Sequence, residues 1–185
     1  MKNFGYLSYT YMHRCAFKFV VLSLIKDEAE KEALLERAKW HDLDKSLLYT
    51  LVEKEFASES HTASSSHHME NSHLKTYLDK MEAVIDYECA GYTKWDKPRN
   101  AYDTIRELKP ELMDDLLPIM EHLGIAKSYK NVSQDKNWQE FLKTQADPTD
   151  EAILDEIYQY IMHDPITAAS IYKYAKENME AHPAK

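Results

Sequence analysis

The chain has 185 residues, 44% hydrophobic and 30% charged, with a formal net charge of -9 and a pI near 5.5. That length suits one domain with a sizeable core, or a domain with a helical appendage. The acidic balance argues against broad electrostatic binding of nucleic acid, which needs a basic face to displace counterions. A small phosphorylated substrate stays open, because bound cations can supply positive charge locally.

Only three glycines occur, and strand-like alternation is scarce, so the expected class is all-α. Cys15 and Cys89 lie in apolar helical patterns and read as buried thiols, not as a disulfide framework. The most apolar run, Ala16 to Ile25, is interrupted by Lys18 and falls short of the roughly 20 residues that a bilayer span takes. Lys26, Asp27 and Glu28 follow it, where a signal peptide would carry small residues. A reducing cytoplasm is the expected setting, with no membrane partner.

The first predicted helix runs from about Tyr6 to Ile25. His13, Phe17, Val20, Val21 and Leu24 share one face of it, so His13 points inward. Taken alone, an inward histidine is more often a core residue bonded to a carbonyl; beside the residues below, it reads as a metal ligand.

Asp27 and Glu30 form a capping-box start for a second helix, whose inner stripe is Leu34, Ala38, His41 and Asp42. The His41-Asp42 doublet thus closes that helix on its inner side. Imidazole nitrogen and carboxylate oxygen are both ordinary donors to a divalent cation. Asp44 reads as the cap of a third helix with Leu47, Leu48, Leu51 and Val52 inward, and Lys45 as a solvent-facing residue.

Ser58 to Ser66 is polar, serine-rich and without periodicity, and reads as a loop: a lid, or a connection without a role. His67, His68 and His73 follow within seven residues. Imidazole is a leading transition-metal ligand, and one or two of the three are candidate ligands, with chance surface histidines as the alternative.

A helix over Leu74 to Gly91 would bury Leu74, Leu78, Met81, Ile85 and Cys89, with Asp86 on the flank of that stripe. A carboxylate there needs a charge partner or a metal; a salt bridge to Arg or Lys is the plain explanation, and Glu82 and Glu88 are the neighbouring alternatives. Tyr92 to Arg99 is a turn with basic and aromatic residues suited to a nucleotide, or simply one in which Trp95 plugs the core.

Further on, Pro98 and Pro110 fit first turns of helices, Pro118 a kink and Gly124 a helix end. Trp138, Phe141 and Leu142 mark another helix. Asp147, Pro148 and Asp150 begin the next, with Ile153, Ile157, Tyr160 and Ile161 inward. Asp164 and Pro165 open the last, with Ala169, Tyr172 and Met179 available for packing. The second doublet, His163-Asp164, is set aside because an Asp before a Pro caps backbone N–H groups.

His13, then His41-Asp42, then Asp86 on successive helices resembles the HD superfamily of metal-dependent phosphohydrolases, whose signature is that order. Asp44-Lys45 is similar to the Asp-x-Gly-Lys ending common there, with Asp where Gly is usual. The run of His67, His68, Asn71 and His73 resembles an uncharacterised group of small HD-like proteins. The resemblance covers His13 to Asp86 and implies an HD-like helical bundle. Residues 1–185 would form one all-α domain, 1–108 the metal-site core and 109–185 a C-terminal helical extension. It also implies that His13, His41, Asp42 and Asp86, with His67, His68 or His73, hold one or two ions of Mn, Fe, Co, Ni or Zn. Asp42, Asp44 and Lys45 would serve catalysis, Lys45 by meeting a substrate phosphate. The implied activity is hydrolysis of a nucleotide or other small phosphoester. The alternatives are a catalytically inactive HD-like protein that binds a nucleotide or a protein partner, and a purely structural helical protein.

Overall fold

The computed structural model describes residues 4–71, 74–94, 99–127, 135–145 and 149–181. They fold as α-helices with no strand among them, an all-α fold: α1 (Phe4–Leu24), α2 (Glu28–Trp40), α3 (Leu43–Leu51), α4 (Lys54–Ser64), α5 (Tyr77–Thr93), α6 (Ala101–Leu108), a 3-10 turn (Pro110–Leu112), α7 (Met113–Leu123), α8 (Lys136–Lys143), α9 (Asp150–His163) and α10 (Pro165–Asn178). The chain divides into two compact units, one of Met1–Met12, Trp40–Ser65 and Ala146–Lys185, the other of His13–Lys39 and Ser66–Gln145.

In the first unit α3 packs against α4, α9 and α10. Leu43, Leu47, Leu48 and Val52 bury its inner side, and Ile153, Ile157 and Tyr160 are buried on α9. Asp164 caps α10 by accepting from the Thr167 N–H at 3.0 Å, with Pro165 at the first helical position, so the second doublet is a helix start as its sequence indicates. The packing residues of α10 differ from expectation. Ala168 and Ala175 are buried, whereas Ala169, Tyr172 and Met179 face outward. Small alanines let α10 approach closely, and the larger neighbours that periodicity offers as core lie on the other side. Thr149 caps α9 through the Ala152 N–H; the start expected at Asp147-Pro148 lies outside the described residues.

In the second unit α5 packs against α6 and α7. Met81, Ala83, Val84, Ile85 and Cys89 are fully buried on α5, and Phe17, Val20 and Val21 on the second part of α1. Phe19 gathers Tyr92, Trp138 and Phe141 around it at centroid distances of 5.3–5.4 Å, within the range of favourable ring pairs. Cys15 and Cys89 are buried free thiols. Asp27 caps α2 by accepting from the Glu30 N–H at 2.9 Å, but Glu30 bonds His122 at 3.0 Å and leaves the box half made. The full box occurs on α5, where Thr76 and Asp79 cap each other. That cap starts the helix later than the apolar pattern suggests, and Leu74 is left 96% exposed. Pro110 opens a 3-10 turn, Pro118 sits inside α7 and Gly124 ends α7 at φ 70°, the left-handed conformation that glycine adopts without cost. Trp95 to Pro98 lie outside the described residues.

Because Ile85 is fully enclosed at the middle of α5, Ile85→Ala should cost about 2–5 kcal/mol of stability through lost burial and a residual cavity. Urea denaturation of the two proteins measures it.

Candidate metal centre

His41 and Asp42 are the whole connection between α2 and α3. Asp42 takes φ 59° and is the only described non-glycine residue with positive φ. Most L-residues pay roughly 1–2 kcal/mol there, and Asp and Asn are the usual exceptions. Its carbonyl closes the first turn of α3 by accepting from the Ser46 N–H at 3.0 Å. Asp42, not Asp44, therefore holds the cap position, yet its side chain makes no capping bond. The carboxylate is buried and turned to other partners instead.

Those partners define the cluster of the first unit. Oδ1 of Asp42 lies 2.9 Å from Nε2 of His61 and 3.8 Å from Nε2 of His41. Nζ of Lys45 approaches Oδ2 at 3.5 Å. Nδ1 of His61 meets Oδ2 of Asp44 at 2.8 Å, and the Ser65 hydroxyl lies 2.9 Å from the same nitrogen and 3.3 Å from the same oxygen. Burial alone would raise Asp42's pKa, but the charges of His61, His41 and Lys45 outweigh it and hold the carboxyl well below its ordinary range. Asp44 behaves likewise, lowered against its burial chiefly by His61. Burial pushes the His61 imidazole down, yet the two carboxylates raise it to about 9.

His61 carries no signal of its own so long as Ser58 to Ser66 reads as a loop. Ser58 to Ser64 instead continue α4. Serine and threonine are poor helix formers, but Ala57 and His61, one turn apart, are both fully buried, and Tyr49 ties α3 to Ser58 at 3.3 Å. Packing and ion pairing overrule propensity here. The detectable signal is that one-turn spacing.

The second unit has its own pairs. Nε2 of His13 lies 2.6 Å from Oδ1 of Asp86, so an imidazole is a partner of the buried-flank carboxylate. His67 is buried with Nδ1 3.4 Å from Oε1 of Glu82. Arg37 holds the other oxygen of Glu82 at 2.6 Å and Asp79 at 2.7 Å. Burial would raise the Asp79 carboxyl, but the Thr76 hydroxyl and Arg37 bring it down to about 2. His68 is half-buried, its ring centroid 4.6 Å from that of His67, with Nδ1 3.7 Å from Glu70. Glu88 is spent on the backbone, accepting from the Ala101 N–H at 2.9 Å. His73 lies outside the described residues.

Described His and carboxylate side chains form clusters that could hold a metal ion. Around Asp42 the donors are of the types such an ion takes. Two donors each about 2.1 Å from an ion stand about 3.0 Å apart at a right angle and about 3.4 Å apart at the tetrahedral angle. The 2.9 and 3.8 Å separations around Asp42 Oδ1 bracket those values. A mixed nitrogen and oxygen set suits Mn, Fe, Co, Ni or Zn better than Ca. No helix among the described residues is long and apolar enough to cross a membrane. No family model, curated protein or solved structure matches the chain.

Proposed function

We propose that this protein is a metal-dependent phosphohydrolase of HD type, acting on a nucleotide or other small phosphoester with one or two transition-metal ions. The observation that carries the reading is Asp42: a buried carboxylate in a left-handed corner, its capping role given up, with the nitrogens of His41 and His61 beside one oxygen. A bound divalent ion would acidify water toward neutrality and offset phosphate charge. Asp42 supplies the anionic donor and His41 a neutral one. Lys45, with its side chain 21% exposed, reaches a substrate phosphate from beside Asp42. The acidic remainder of the chain leaves polymeric nucleic acid out of the substrate range.

The test is metal analysis of the purified protein, with turnover of a panel of nucleotides and small phosphoesters in Mn, Co or Ni. Retained transition metal and hydrolysis of at least one substrate class are expected. A protein that retains no metal and stays inert with all three ions would overturn the reading. Metal retention and nucleotide binding without product would favour the inactive binder.

A further inference from the structure

We infer that Asp44 is a positioning residue for the metal centre, holding His61 so that its Nε2 serves as a ligand beside Asp42. The inference rests on the metal-binding part of the proposed function and replaces the catalytic role that the HD resemblance implies for Asp44. The His61 ring is 1% exposed and fixed from both edges. On one edge Nδ1 meets Asp44 at 2.8 Å; on the other Nε2 meets the Asp42 oxygen at 2.9 Å. A carboxylate that accepts the Nδ1 proton sets the tautomer, leaving the Nε2 lone pair for a cation and making it more basic.

Ser65 completes the arrangement. Its backbone N–H donates to the His61 carbonyl at 2.9 Å at the end of α4. Helix geometry therefore delivers its hydroxyl to both Nδ1 of His61 and Oδ2 of Asp44. Oδ2 of Asp44 is engaged by the imidazole and the hydroxyl together.

Cobalt titration of the whole protein, followed by visible absorption, tests this. Wild type is expected to bind Co(II) with a ligand-field spectrum. Asp44→Gly should lower the affinity about 10–100-fold, the usual loss when a ligand's supporting carboxylate is removed, and alter the spectrum at saturation. Asp44→Asn keeps an acceptor for Nδ1 and should restore most of both, and Ser65→Ala should give a smaller loss in the same direction. A merely structural role for Asp44 would change the melting temperature and leave the spectrum alone. Wild-type affinity and spectrum in Asp44→Gly would overturn the inference while leaving the proposed metal centre standing; if that variant does not fold, wild-type affinity and spectrum in Ser65→Ala overturn it. A wild type that binds no cobalt overturns both.

Discussion

On the proposed function, Asp42→Asn is expected to abolish metal retention and to lower phosphoester turnover by more than about 100-fold, the upper loss for a group that acts only through a ligand. The substitution isolates charge. Asn tolerates the left-handed φ of 59° as Asp does, fills the same volume, and can still accept from Lys45. What it cannot do is offer an anionic oxygen between His41 and His61. Asp42→Ala would be a poorer choice, since it adds roughly 1–2 kcal/mol of backbone strain to the chemical change. Metal content by mass spectrometry and kcat/KM on the best substrate measure the outcome. Full metal content in the Asn variant would remove Asp42 from the ligand set, and the corner would then be a structural turn.

The class of fold is legible in the sequence because helix periodicity is a local property. The inward face of α1 around His13, Phe17, Val20 and Val21 and the stripe Leu34, Ala38, His41 and Asp42 are buried as their spacing indicates. What periodicity misses depends on partners remote in sequence. The serine-rich helix α4 has little intrinsic tendency to form and is held by buried Ala57 and by His61 between two carboxylates. Asp44 looks like a cap because Asp at a helix start usually is one; only the position of His61, 17 residues away, shows its carboxylate to be engaged. Period alone puts Leu74 and Tyr172 in the core, and a capping box at Thr76 and the small residues of α10 decide otherwise. Among the histidines, burial separates His67 from the more exposed His68, a distinction that composition cannot make.

Metal-stripped protein should lose stability as pH rises from about 6.5 to 9 and regain it when metal is added. His61 has an ordinary value of 6.5 and is raised to about 9 in the folded chain, against burial, by Asp42 and Asp44. The folded state holds that proton more tightly than the unfolded one. Its contribution is therefore complete below 6.5 and fades as pH climbs through the folded value. The gap is worth roughly 3 kcal/mol, and the lowered pKa values of Asp42 and Asp44 describe the same ion pairs from the other side, so they are not added to it. Their own signature is a loss of stability in acid, as pH falls through values below the ordinary carboxylate range. On the proposed metal centre a divalent cation would take the place of the His61 proton, so its binding should strengthen with pH over this interval and reverse the slope. His61→Ala in the metal-free protein should cost about 3–5 kcal/mol at neutral pH by leaving two carboxylates without their shared cation, and should flatten the profile. Urea denaturation at about pH 6, 7.5 and 9, values that span the titration interval, with chelator and with added cobalt, reads all of these; a wild-type profile that stays level across that range in chelator would mean that His61 is not the cation holding Asp42 and Asp44.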